Sequence, residues 1–339
     1  MDIHAHTTPA DLFSPKGLVV VITGGGSELP LAAPRPQQLL TIDAYQGLGA
    51  AIASALHQNG AAKVYILGRR ADLLRNTSQK IQSSPNGSPA SSSAIQHVVC
   101  DVANLESVKA AVERIKQEMG YVDVLINNAG VTGPKNGQDI YNAGSIEQLR
   151  DSMITDWDGW SSAFAINTQA VIGVSAQFLP LLEAANTRRG FAPGKVSGTG
   201  KARAHDKSKL ASIGSSPDDD RMAQIITIAS IASFMRWISA GLAYNATKSA
   251  AVHMAKMMSN FLSEWGIRSN VVCPGPYPSE MTVGNPTVFG TNHIPQGRPG
   301  NMNDISGVIL FLVGKGGAYI NGSVQLTDGG RLGMFPAVY

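Results

Sequence analysis

The sequence predicts an α/β fold, a doubly wound sheet of about seven parallel strands flanked by helices. Three observations point there. Short β-rich apolar runs recur along the chain and are separated by helix-like segments, the pattern of strands joined by crossover helices. The runs are nearly continuous in apolar residues, as strands covered on both faces must be. With 43% apolar residues, only 6% aromatics and 36 glycines, the composition suits a sheet wrapped by Ala- and Gly-rich helices.

In chain order the expected strands are Leu18–Thr23, Lys63–Leu67, His97–Val102, Val124–Asn127, Gln224–Ala229, Ser269–Cys273 and Val324–Leu326. Three stretches break the alternation. Residues 28–46 hold three prolines (Pro30, Pro34, Pro36), Ser83–Ser93 is rich in Ser, Pro and Gly, and Phe191–Asp220 is rich in Gly, Ser and Lys. All three are expected to be mobile surface loops. At 339 residues the chain is long for one α/β domain and short for two. It reads as a flexible N-terminal segment (1–16) followed by one domain (17–339) with insertions at 28–46 and about 186–222.

Composition narrows the function classes. The apolar runs are strand-length, and Met1–Lys16 lacks an apolar leader core, so no membrane span is expected and the compartment reads as cytoplasmic. The net charge of +3 is local: between Asn186 and Leu210 seven Lys/Arg stand against Asp206 alone, with no interleaved stacking aromatics. That stretch reads as a solvated loop and not as a nucleic-acid surface. Cys100 and Cys273 each adjoin an expected strand and read as packed thiols, not a disulfide. No metal-ligand pattern is assigned.

The first strand runs into Gly24-Gly25-Gly26-Ser27, and Gly47-Leu48-Gly49 opens an Ala-rich helix. With residues 28–46 looped out, the halves join as T-G-G-G-S-G-L-G. Glycines there let the backbone approach a pyrophosphate at a helix N-terminus, although such a cluster is also found in ordinary turns. Arg69, after the second strand, suits a ribose 2′-phosphate and favours NADP over NAD; solvated arginines at a helix start are the plainer alternative. Asp101 can accept a hydrogen bond from an adenine amino group, and Asn127-Asn128-Ala129-Gly130 closes the fourth strand beside the expected crevice.

Tyr244 and Lys248, at i and i+4, share one helix face. A nearby ammonium lowers the pKa of a phenol and makes it a usable acid or base, but an ordinary helix pair has the same spacing. Ser230, fourteen residues upstream at a strand end, can hydrogen-bond a reacting carbonyl. Asn167, in a helix-like segment, is a further polar candidate.

The interrupted glycine turn, Asn127-Asn128-Ala129-Gly130, Asn167, Ser230, Tyr244-x-x-x-Lys248 and Pro274-Gly275 stand in an order that resembles the short-chain dehydrogenase/reductase family, over roughly Leu18 to Leu332. The Pro274–Pro299 segment resembles its 3-oxoacyl-reductase-like branch. The resemblance implies a Rossmann-type fold and an NADP(H)-dependent enzyme that reduces a ketone or oxidises the matching secondary alcohol. It implies Ser230 as carbonyl anchor, Tyr244 as proton donor/acceptor, Lys248 on the nicotinamide ribose and Asn167 supporting a relay water. The implied cofactor set is Ile22, Gly24, Gly47, Gly49, Arg69, Asp101, Asn128, Tyr244, Lys248, Tyr277 and Ser279. The partners implied are a small carbonyl or alcohol substrate and a second copy of the chain in a homo-oligomer.

The insertion is the main departure. It leaves two further readings open: a catalytically silent Rossmann-type binding protein, and a retained intron or wrong gene model over residues 28–46. Sequencing cDNA across codons 20 to 55 decides the second; an uninterrupted mature message with all nineteen codons sinks it.

Overall fold

A computed structural model describes residues 8–26, 47–83, 95–196, 200–279, 282 and 286–338. The strands are β1 (Val19–Thr23), β2 (Lys63–Gly68), β3 (Ile95–Val99), β4 (Val124–Asn127), β5 (Gln224–Ile228), β6 (Arg268–Pro274) and β7 (Val324–Thr327). They form one sheet in the order β3-β2-β1-β4-β5-β6-β7, and every pairing is parallel. The direction of winding reverses between β1 and β4, so their carboxyl ends open a crevice where ligands bind in such sheets.

The helices are α1 (Pro9–Leu12), α2 (Leu48–Gln58), α3 (Ala71–Gln82), α4 (Leu105–Met119), α5 (Gly137–Asn142), α6 (Ile146–Ile154), α7 (Trp157–Phe164), α8 (Ala170–Arg188), α9 (Ser208–Ser212), α10 (Leu242–Phe261) and α11 (Met302–Val313). Alternate strand residues feed two cores, as the two-residue period requires. Val19, Val21, Leu125, Ile225 and Val271 pack with Phe178 of α8 and Ala255 of α10. Val20, Ile22, Ile66, Ile126 and Val272 pack with Ile52 of α2 and Ile309 of α11. Each of these fully buried aliphatic side chains contributes about 1.5–3 kcal/mol, which is why the sheet needs few aromatics.

The seven expected strands are all present, with β3 beginning two residues earlier than expected and ending at Val99. Residues 157–188 reach the length and apolarity of a membrane span, although Val171, Val174, Phe178 and Leu182 are spent on the core beside the sheet. Both cysteines are free and buried, as expected.

Two expectations of looseness are corrected. Residues 8–16 are docked: Thr8 caps α1, Phe13 packs on Phe311 at 6.1 Å, and the Ser14 carbonyl accepts from Arg221 at 3.0 Å. The 186–222 insertion is likewise anchored, by the buried side chains of Phe191 and Leu210 and by a buried charge network. Arg189, assigned to a solvated basic loop, is 2% exposed. Its guanidinium donates to Asp123 at 3.1 Å and to Asp219 at 2.8 Å. Asp219 also pairs with Arg221, and Asp123 accepts the Val19 N–H at the foot of β1. The 28–46 insertion and most of Ser83–Ser93 lie outside the described residues.

Candidate active site

The interrupted glycine turn closes in space. A Cβ added to Gly49 would lie 2.6 Å from the Gly24 carbonyl oxygen and 2.6 Å from Asn128 Nδ2, so the two halves of the motif touch although they are far apart in sequence. Gly24 takes a left-handed φ of 73°, which glycine alone adopts without strain. Asn128 fixes the turn: its Nδ2 donates to the carbonyls of Thr23 and Gly24 at 2.9 and 3.2 Å. Thr23 Oγ1 accepts from the backbone of Asn128 and Ala129. The fourth strand thereby holds the turn that opens α2, whose first N–H groups lack partners within the helix.

Above the turn lies a crevice of about 390 Å³. It brings together Gly24, Gly47, Arg69, Asp101, Asn128, Tyr244, Lys248 and Ser279 from the expected set, together with Arg70, Cys100, Val131 and Ile228. Arg69 stands exposed at one end, beyond the glycines, and Tyr244 and Lys248 stand at the other. Three residues of the expected cofactor set do not line it, and neither do Asn167 and Ser230. Ile22 is fully buried in the core. Gly49 lies beneath, where it permits the close approach just described. Tyr277 is 5% exposed, with its ring over Gly300.

Asn167 sits in a π-helical turn, Ala165–Gln169, between α7 and α8, a local irregularity that aims its amide inward. Its Oδ1 accepts the Val131 N–H at 2.8 Å, and its Nδ2 donates to the Val131 carbonyl at 2.8 Å and to Thr247 Oγ1 at 3.0 Å. It clamps the crevice wall to α10. Ser230 stands two residues beyond β5 and accepts from the Ala232 N–H at 3.1 Å; the chain then turns through Ile231–Ser233 towards α10.

Burial raises the Tyr244 phenol above its ordinary value, the Ser230 hydroxyl opposes this, and Cys273 adds to the rise. Lys248 Nζ lies 6.0 Å from the ring centroid and donates to the Ile228 carbonyl at 3.0 Å. Burial brings Lys248 down to about 8, against the influence of Cys273. The Cys273 thiol, pushed up to about 12 by burial against the Ser230 backbone and the Lys248 charge, was absent from the sequence-based site; its place directly before Pro274 was the only signal.

A glycine cradle at a strand end, a cation at one end and a phenol–hydroxyl–ammonium group at the other define a nucleotide-dependent oxidoreductase site. The family model described as short chain dehydrogenase matches residues 38–190, and that described as Enoyl-(Acyl carrier protein) reductase matches residues 216–331. The short-chain dehydrogenase/reductase PhomF of Diaporthe leptostromiformis is 32% identical over 338 residues, covering 97% of this chain and 96% of that protein. The short-chain dehydrogenase/reductase VdtF of Byssochlamys spectabilis is 32% identical over 343 residues, with 98% of each covered. The structure of the Pseudomonas aeruginosa RhlG/NADP active-site complex shares the fold, with a TM-score of 0.66 at 23% identity over 95% of this chain and 99% of that one. The chain belongs to the short-chain dehydrogenase/reductase family, whose members are oxidoreductases that use a nicotinamide cofactor.

Proposed function

We propose that the protein is an NADP(H)-dependent reductase of a small-molecule ketone, working on the secondary alcohol in reverse, with Tyr244 as the proton donor. The observation that carries this reading is the crevice itself, which joins Arg69 to Tyr244 and Lys248 past a glycine turn whose halves meet. An NADP-bound neighbour of the same fold adds support for the cofactor.

The residues fit the dinucleotide. The Gly24 and Gly49 cradle would be filled by any Cβ. Arg69 would take the 2′-phosphate through charge-assisted hydrogen bonds, Asp101 the adenine end and Lys248 the nicotinamide ribose. The cofactor supplies the hydride; the chain supplies position and charge. Ser230 holds the substrate oxygen, and Tyr244, kept protonated by its burial, delivers its phenolic proton as negative charge develops there. Asn167 keeps the Val131 wall and α10 in register, and the family resemblance gives it the support of a relay water.

The test is Tyr244→Phe. Turnover of a ketone with NADPH is expected to fall by about 10²–10⁴-fold while NADPH affinity stays within about twofold; near-normal turnover rejects the assignment.

A further inference from the structure

Ser230 lies beyond the end of β5, at the start of the short turn Ile231–Ser233. The turn is closed by the Ser233 N–H on the Ser230 carbonyl at 3.1 Å and by the Phe234 N–H on the Ile231 carbonyl at 3.0 Å. So short a turn has few bonds of its own, and its position is set by what packs on either side. On one side stands α10. Ser249 Oγ donates to the Ser233 carbonyl at 2.6 Å, and Asn245, next to Tyr244, donates through Nδ2 to the Trp237 carbonyl at 3.0 Å.

On the other side stands the segment that follows β7. Leu332 is buried in a small apolar cluster with Ile231 and Met235. Further on, the chain runs antiparallel to the stretch after the turn, with Met235 bridged to Ala337. The Arg236 N–H donates to the Pro336 carbonyl at 2.8 Å, and the Val338 N–H to the Phe234 carbonyl at 2.9 Å. The root of the segment is fixed in its turn. Asp328 accepts the N–H groups of Gly330 at 3.0 Å and Leu332 at 2.6 Å. Arg331 donates to the His293 carbonyl at 3.2 Å and lies over the Phe335 ring, 4.6 Å from its centroid. The last residues thus form a brace, rooted at Asp328 and ending against the stretch that carries Ser230.

We propose that residues 332–338 are a positioning element for the reaction, holding the Ser230 turn against α10 so that Ser230 and Tyr244 can meet at one substrate oxygen. This rests on the reductase reading for the roles of those two hydroxyls. Leu332 acts on Ser230 through Ile231, and residues 335–338 act through Phe234 and Arg236. A misplacement of about 1 Å can cost about 10²-fold in rate.

Three variants of the full chain test this: deletion of residues 335–339, Leu332→Ala and the conservative Leu332→Met. NADPH affinity, amide exchange followed residue by residue, and reduction of ethyl acetoacetate, cyclohexanone and 2-decalone are measured on each. The deletion and Leu332→Ala are expected to bind NADPH within about twofold of wild type. Exchange at Ser233 and Phe234 should quicken at least about tenfold in both, with Tyr244–Lys248 unchanged. Their kcat should fall at least about tenfold while KM for the ketone moves less than about threefold, and Leu332→Met should keep most of the wild-type rate. Unchanged exchange at Ser233 and Phe234 overturns the brace, and faster exchange with an unchanged kcat overturns its part in the reaction. NADPH affinity falling in step with kcat would mean a general loosening of the fold and overturns the assignment too. A wild type that binds NADPH and reduces none of the three ketones counts against the reductase reading, while the exchange rates still decide whether the brace holds the turn.

Discussion

At Arg69 the side chain is exposed and its assignment rests on what it faces along the crevice. Replacing it with Ala removes the proposed partner of the 2′-phosphate. Charge-assisted hydrogen bonds contribute about 1.5–3 kcal/mol, so Arg69→Ala is expected to weaken NADPH at least about tenfold and leave NADH within about twofold, read by fluorescence titration. Lys248 makes a different prediction, in stability. Its ammonium titrates at about 8 in the fold against 10.5 for the free side chain. Between those values the unfolded chain holds the extra proton, so this residue's contribution to stability rises with pH across that window, and below pH 8 the fold carries a buried cation at a cost. Lys248→Met should accordingly raise the thermal midpoint near pH 6.5, with a gain that shrinks by about pH 10. A gain independent of pH would show that the cation is not disfavoured there. The same geometry explains what the i, i+4 spacing of Tyr244 and Lys248 left unsaid. It placed them on one face of a helix, but the competing acceptor, the Ile228 carbonyl, comes from a strand and has no mark in the local sequence.

The turn between β1 and α2 works through contacts between elements. Gly49 has space for no side chain against Gly24 and Asn128, so Gly49→Val is expected to push the start of α2 off the turn and weaken NADPH at least about tenfold; affinity within twofold of wild type would mean that the helix terminus does not bear on the pyrophosphate. The strands were legible because each is a short apolar run that must be covered on both sides, and period-two alternation sorts their side chains into two cores. Where β3 ends was less so: Cys100 and Val102 continue the apolar run and line the crevice wall, but the register with β2 ends at Val99 opposite Gly68, with one last bond from the Cys100 N–H to the Gly68 carbonyl. The π-helical turn at Asn167 had no sequence signature either, since it is fixed by bonds to Val131 and Thr247, thirty-six and eighty residues away.

Across the whole molecule the chain is closed at the end of the sheet opposite the crevice. Asp123, Arg189, Asp219 and Arg221 sit at the amino-terminal feet of β1, β4 and β5, and they fasten both ends of the 186–222 insertion. Burial would raise the Asp219 carboxyl, but the hydrogen bonds and charge of Arg221, and then those of Arg189, outweigh it and hold it well below the usual carboxylate range. Its contribution is thus present above the ordinary carboxylate pKa and lost as the pH falls towards the folded-state value. Asp219→Asn leaves two buried cations underpaired and is expected to cost about 3–5 kcal/mol, measured by urea denaturation at neutral pH, without a change in NADPH affinity of the folded protein. Arg189 alone departs from the solvated basic stretch, whose lysines are exposed, because the acids that neutralise it lie 66 and 30 residues away in the chain. The two buried thiols give the molecule a further property. Cys100 stands at the crevice and Cys273 behind Ser230, both are shielded, and both are protonated at neutral pH because burial raises their pKa values. At Cys273, which does not line the crevice, an alkylating reagent therefore gains access only when the fold opens, and the rate at which it consumes that sulfur is a clock for the opening, readable by mass under native conditions without any denaturant.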